Sequence, residues 1–449
     1  MNNEQTVKKP DTPYRKTFVL KQQTPMIHFQ HADSGVVIRA SEFKPKLDKF
    51  LLKKLNENLS GKEKWFLKQA DGNQEIKAFN YKVRIFATGE PERSDTIERD
   101  IEKNRIRSKN SMDRDKVRKL LKEVDERYSG KTINSMYFGN MVNARVKNYP
   151  EEVKKAYKET IFYRDDIYVE IQCFVRELLV YIDANISEFL LVTNFGTRQS
   201  KGFGCFSLKN DKNPIRILQE NQYNFIYGEI TQSTGQDKAH KDVALEVAAG
   251  IYAVMKGGIN RSKRRDGTYD KKKYIKGYIQ RQYLDEIKKN DIGSDKAFMK
   301  KDILPSSLRE IEKNSDNFEK YTEFEYVRAI LGIPESIEFK DPDQKRNGTV
   351  EIKGDNIERF QSAIQIVISG KYVILIMKDS YKAILGKEFV FSTEIGNGTI
   401  KVPSEFYPEK FLSGFVRYYN NKRVKEKLEH LNYQEASQII LKMGSEEKK

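Results

Sequence analysis

Asn194-Phe-Gly-Thr-Arg-Gln-Ser-Lys-Gly-Phe-Gly-Cys-Phe206 is the stretch on which the reading of this chain turns. Gly196, Gly202 and Gly204 bracket Thr197, Arg198, Gln199, Ser200 and Lys201. Glycine permits positive φ and lets backbone N–H groups come close to a ligand. Two cations with three hydroxyl or amide side chains suit a phosphodiester backbone. An ordinary helix-to-strand turn uses similar residues, so the surrounding elements have to decide between the two.

Upstream, Ile167, Val169, Ile171, Cys173 and Val175 alternate strictly, which predicts a strand over Ile167–Arg176. Its other face, Tyr168, Glu170, Gln172, Phe174 and Arg176, is polar and aromatic and open to other uses. Leu178, Ile182, Ile186, Phe189 and Leu190 then share one side of a helix, and a strand over Phe203–Leu208 leaves the loop. Earlier, Thr17–Gln30 reads as a strand interrupted by Pro25. Ser41 caps a helix carrying Phe43, Leu47, Phe50, Leu51 and Leu55 on one face, with Pro45 near its first turn. Tyr81–Ala87 is a short strand. Strand–helix–strand–strand–helix–strand is the split βαβ, ferredoxin-like order.

A second round begins with a strand at Tyr223–Ile230 and a helix through Val243, Val247, Ile251 and Met255. Further helices are expected to about Leu331, then strands at Thr349–Ile352, Ala363–Ile368 and Tyr372–Met377, and a last helix near Lys422–Met443. The fold class is therefore α+β, with two ferredoxin-like (RRM-like) domains and helical insertions. The first spans residues 13–210, with a charged insertion at about 90–126 that is helical around Asp113–Glu126. The second spans 220–449, with a basic insertion at about 256–320 and C-terminal helices.

The chain has 82 Lys+Arg against 65 Asp+Glu, a net charge of +17 and a pI near 9.3, which favours a polyanionic partner. Lys256–Arg281 holds ten of these cations against Asp266 and Asp270, interleaved with Tyr269, Tyr274 and Tyr278. Cations neutralise phosphates while tyrosines stack on unpaired bases, so the mixture suits single-stranded RNA and nominates Lys263, Arg264 and Arg265. Cys173 and Cys205 alone offer neither a disulfide framework nor a cysteine-rich zinc site. The N-terminus lacks the apolar core of a signal peptide, and no run approaches a membrane span. A cytoplasmic protein without cofactor, metal or membrane partner is expected.

Lys201-Gly-Phe-Gly-Cys-Phe206 begins like the RNP1 pattern, but Cys205 replaces the aromatic at the fifth position, and the loop leads into a fourth strand rather than a third. A glycine- and cation-rich loop between the second helix and last strand of a ferredoxin-like fold resembles the RAMP superfamily, the RNA-binding proteins of CRISPR effectors and CRISPR RNA processing. Gln23-Thr-Pro-Met-Ile-His28, Ile38-Arg-Ala-Ser-Glu-Phe-Lys-Pro-Lys-Leu47 and Glu358-Arg-Phe-Gln-Ser-Ala-Ile364 are similar to further family segments. The resemblance is nearest to the large two-domain subunit capping the target-facing end of type III effectors. It implies RNA contacts at Gly196, Thr197, Arg198, Gln199, Ser200, Lys201, Gly202, Phe203 and Gly204, with Arg39 beside the first helix. Many relatives carry glycine and arginine early in that helix; here Pro45 and Asp48 stand there, which leaves Lys44 and Lys46 as its candidates.

The expected partners are CRISPR RNA, target RNA and other effector subunits. Two rival readings stand. Processing nucleases of the superfamily place a catalytic histidine near the first strand-to-helix connection, where His28 and His31 fall, so a metal-free endoribonuclease is one. The other is a structural protein whose basic surface meets an acidic partner. No P-loop, H-x-x-x-H or G-x-S-x-G motif occurs, and Asp165-Asp166 is a lone acidic pair.

Overall fold

The computed structural model of the chain describes residues 10–27, 37–55, 59–67, 78–94, 106, 114–127, 160–210, 213–230, 240–259, 275–287, 289–304, 320–340, 347–354, 357, 360–430 and 433–445. The architecture is α+β. Two compact units divide it: Met1–Glu220 with Thr234–Leu245 and Val367–Lys371, and Asn221–Ser233 with Glu246–Ile366 and Tyr372–Lys449.

The first unit runs β1 (Arg15–Gln22), α1 (Ala40–Lys54), β2 (Lys82–Ala87), β3 (Glu92–Ser94), α2 (Arg114–Arg127), β4 (Thr160–Phe162), β5 (Ile167–Gln172), α3 (Arg176–Val192) and β6 (Phe206–Leu208). Its main sheet has the order β2-β5-β1-β6, antiparallel throughout. Counting only these four strands, that is the 2-3-1-4 order of the ferredoxin-like fold. Register pairs Phe18 with Val169 and Leu20 with Ile167, so one sheet face is continuously apolar. That face joins Phe43, Leu47 and Leu51 of α1 and Ile182, Ile186 and Phe189 of α3 in a single core. Each such side chain contributes roughly 1.5–3 kcal/mol by leaving water.

Three local expectations are corrected here. The first strand ends at Gln22 instead of running to Gln30. The buried Gln22 amide donates to the carbonyls of Thr24 (3.0 Å) and Ile161 (2.9 Å) and accepts the Tyr163 N–H, so a side chain takes over the pairing a longer strand would make. The first helix starts at Ala40, with Arg39 in the cap position and no side-chain cap, so Ser41 lies inside the first turn. Pro45 is the sixth residue of α1 and removes the bond to the Ser41 carbonyl; both residues are exposed, so water can satisfy that oxygen. In the charged insertion α2 matches the helix expected there, and β3 pairs with β4, which lies beyond the insertion.

The second unit begins after α4 (Pro214–Glu220) with β7 (Asn224–Glu229), followed by α5 (His240–Tyr252), which straddles the division. Short helices α6 (Gln282–Glu286) and α7 (Asp295–Phe298) flank β8 (Ile292–Ser294), and β9 (Glu323–Glu325), β10 (Ser336–Lys340) and β11 (Asn347–Gly354) follow. Then come β12 (Ile364–Ser369), β13 (Tyr372–Met377), β14 (Glu388–Ser392), β15 (Asn397–Lys401), α8 (Pro408–Tyr419), α9 (Lys422–His430), α10 (Gln434–Gln438) and β16 (Lys442–Met443). The sheet order β12-β13-β7-β16 is again 2-3-1-4 when its own strands are counted.

A six-stranded sheet, β10-β11-β14-β15-β9-β8, is built from inserted segments. Purely helical structure up to Leu331 is therefore corrected: β8 and β9 are three-residue strands, too short for alternation to show. Tyr326 packs edge-on to Phe389 and Phe391 beneath this sheet. The last helix, expected to about Met443, instead breaks into α9, α10 and a strand. Asn420 clamps that strand, accepting the Leu441 N–H (3.0 Å) and donating to its carbonyl (2.8 Å).

Candidate nucleic-acid interface

The glycine loop leaves α3 at Val192 and enters β6, the fourth strand of its fold. Its apolar residues point inward. Phe195 stacks on Phe43 at 5.7 Å and meets Phe189 and Phe206 edge-on, and Phe203, Cys205 and Phe206 are buried. Burial pushes the Cys205 thiol up to about 11, so it stays protonated at neutral pH.

The loop backbone is tied down just as firmly. Gly196 N–H donates to Glu42 Oε1 (2.9 Å), Thr197 N–H to the Ile27 carbonyl (2.8 Å), Gly204 N–H to the Pro25 carbonyl (2.9 Å) and Cys205 N–H to Thr24 Oγ1 (3.0 Å). Asn194 Nδ2 donates to the Gln199 carbonyl and Gln199 Nε2 to the Gly196 carbonyl, each at 2.6 Å. Gly196, Gly202 and Gly204 have φ of 77°, 84° and 66°, and Arg198 also takes positive φ, 58°. An arginine in this region costs about 1–2 kcal/mol.

Fixed in this way, the loop leaves Thr197, Arg198, Gln199, Ser200 and Lys201 half-buried at its crest, while Gly196, Gly202, Phe203 and Gly204 are buried. Burial first, and the neighbouring Arg198 charge second, bring Lys201 down to about 8. Two like charges held together on a rigid support suit an anionic ligand.

The helix cations serve other ends. Lys44 bonds Asp48 (2.7 Å) and the Phe79 carbonyl (2.9 Å) and lies 4.3 Å over the Tyr81 ring. Lys46 bonds Glu42 (2.7 Å) and the Asn194 carbonyl (2.8 Å) and lies 4.8 Å over Phe195; burial lowers its pKa despite Glu42. Lys44 ties α1 to the segment that leads into β2, and Lys46 ties α1 to the loop. Arg39 is half-buried at the start of α1. His28, His31, Lys263, Arg264, Arg265, Glu358 and Arg359 lie outside the described residues.

The open face of the first sheet carries a feature only half visible in sequence. Tyr168 stacks on Phe86 of β2 at 5.2 Å, and the Arg84 guanidinium lies 5.1 Å over the Phe86 ring. Register sets Phe86 opposite Tyr168 and Arg84 opposite Glu170. The alternation of Lys82, Arg84 and Phe86 is the signal that identifies these residues.

A family model of the Cmr1 N-terminal domain matches residues 14–259, and one of the Cmr1 C-terminal domain matches 271–440. The chain belongs to the Cmr1 family. Cmr1 proteins are RAMP-like subunits of multi-subunit type III CRISPR effectors. No curated protein matches the chain. In this Cmr1 chain the glycine loop and the open sheet face both fall within the N-terminal match, while Lys263, Arg264 and Arg265 fall between the two matches. Among the described residues, no helix is long and apolar enough to cross a membrane.

Proposed function

We propose that this Cmr1-family chain binds CRISPR RNA, or its duplex with target RNA, at the glycine loop and acts as a non-catalytic subunit of its effector. The observation that carries the reading is the placement of Arg198 and Lys201 on a loop whose two ends are braced by backbone hydrogen bonds. A braced loop loses little entropy when it binds, and a phosphate between the two cations relieves their repulsion. Ser200 adds a hydroxyl donor of the kind that fixes RNA sugar and phosphate without reading sequence. The Phe86–Tyr168 pair with Arg84 adds a surface on which an unpaired base can stack.

Photocrosslinking of RNA in the assembled effector, followed by peptide mapping, should place adducts between Asn194 and Phe206. Adducts confined to the second unit would contradict the reading. Repeat RNA incubated with the protein should stay intact in both Mg²⁺ and EDTA. Cleavage in EDTA that is lost in His28→Ala or His31→Ala would put a metal-free ribonuclease in its place.

A further inference from the structure

We infer that Asn194 and Gln199 are positioning residues: their side chains clamp the crest of the glycine loop and fix the direction in which Arg198 is presented. What the crest then holds rests on the proposed function; the clamp itself rests on geometry alone.

The crest is not needed to join α3 to β6. Phe195 N–H donates to the Gly204 carbonyl (2.9 Å) and closes the loop at its base, which leaves residues 196–203 outside that closure. Within the crest, two side-chain amides do what backbone pairs do elsewhere. Asn194 is 1% exposed, and its Nδ2 donates to the Gln199 carbonyl (2.6 Å). Gln199 Nε2 turns back and donates to the Gly196 carbonyl (2.6 Å). Both anchor points are themselves held: Gly196 N–H by Glu42 Oε1 (2.9 Å), and the Asn194 carbonyl by Lys46 Nζ (2.8 Å). Lys201 N–H donates to the Arg198 carbonyl (2.9 Å) and completes the turn.

Arg198 lies between the two ends of this clamp with a φ of 58°. Glycine adopts that conformation freely, whereas arginine is strained in it. Such strain persists only where the surroundings over-determine the backbone, and the bonds made by Asn194 and Gln199 do so on either side. A loop that needed only the turn would be served best by glycine at 198. The arginine held there points to the placement of its side chain as what the clamp secures. Gln199 reads in sequence as an RNA contact, but its amide donor is directed inward to Gly196. The Oε1 that remains is an acceptor, which a phosphate oxygen cannot use. Its effect on RNA binding therefore runs through Arg198 and Lys201.

Gln199→Met keeps the length of the side chain and removes its donor, and two measurements on the full chain test the clamp. The first needs no RNA. Native-state tryptic cleavage after Arg198 and Lys201 is mapped by mass spectrometry and scored against sites elsewhere in the chain, so that a general loss of stability does not count. Gln199→Met should be cut in the loop about threefold faster or more than wild type, because a crest released from its clamp opens locally. The second is a double-mutant cycle, in which anisotropy reads the affinity for a single-stranded RNA oligonucleotide. Gln199→Met should weaken binding by about threefold or more in the wild-type background, and by less than about 1.5-fold in the Arg198→Ala/Lys201→Ala background. Equal loss in both backgrounds would show that Gln199 touches RNA itself and overturn the inference, as would no loss in the wild-type background or unaltered cleavage in the loop. Faster cleavage, combined with an Arg198→Ala/Lys201→Ala protein that binds RNA as wild type does, would sink the proposed function and leave the clamp standing.

Discussion

Glu42 accepts the Gly196 N–H at 2.9 Å through the same Oε1 that takes Lys46 at 2.7 Å. One carboxylate on the first helix thus fixes both the first glycine of the loop and the lysine that braces it. Glu42→Ala should lower stability by about 1.5–3 kcal/mol, the usual worth of a charge-assisted hydrogen bond in a shielded place. Glu42→Gln, which keeps an acceptor, should lose less than half as much. Chemical denaturation of the two variants checks the order.

Glycines at positive φ differ sharply in what they tolerate. A Cβ at Gly204 would lie 2.0 Å from the Phe195 carbonyl oxygen, and one at Gly196 would lie 2.4 Å from the Ile27 carbonyl oxygen, both at positive φ. Gly196→Ala and Gly204→Ala should each cost more than about 3 kcal/mol. Gly61 has similar φ but open space around it, so Gly61→Ala should cost only about 1–2 kcal/mol. Thermal midpoints of the three variants would show whether backbone contact or φ alone dominates.

Lys201 gives the loop a pH signature. With its pKa lowered to about 8, it is charged at pH 7 and loses its proton between pH 7 and 9. RNA affinity should fall over that window, beyond any change in Lys201→Arg, because arginine stays charged throughout. The stability sign is opposite. Between about pH 8 and 10.5 the unfolded chain binds the extra proton, so this lysine makes stability rise with pH. Lys201→Met should therefore fold at least as stably as wild type at pH 7 while binding RNA more weakly; a marked fall in thermal midpoint would show that the charge is structural.

Asp295 is fully buried and pairs with Arg328 at 2.5 Å. Removing one partner strands a charge in a low-dielectric interior, so Asp295→Ala should cost about 3–5 kcal/mol. Asp295→Ala/Arg328→Met should recover most of that loss. Denaturant midpoints for the single and double variants test the coupling.

The parts of the fold that were readable in sequence are those with a long, clean period. Ile167, Val169 and Ile171 alternate because one sheet face is core and the other is not, and α3 shows its apolar stripe over 17 residues. The turn at Ser369-Gly370 separates β12 from β13 where expected. Of the inserted six-stranded sheet, β11 was readable at Thr349–Ile352, whereas β8 and β9 were not, because they have three residues each and their pairing partners lie far along the chain. The end of β1 was hidden too, since a buried Gln22 looks polar in sequence yet does the work of backbone.

At the candidate site, the glycine loop was legible from composition and spacing. Its bracing was not: nothing local marks Glu42 as the partner of Gly196, 154 positions away. Lys44 and Lys46 have carboxylates one helical turn away, Asp48 and Glu42, but the Phe79 and Asn194 carbonyls that also hold them are brought close only by the fold.

The most direct test of the account is RNA affinity measured across a salt series for wild type and Arg198→Ala/Lys201→Ala. Two lost phosphate contacts should weaken binding by about tenfold or more and make the log–log salt slope shallower by about 1.4, with the thermal midpoint held or raised. Unchanged affinity and slope in a folded double variant would contradict the claim that this loop holds RNA.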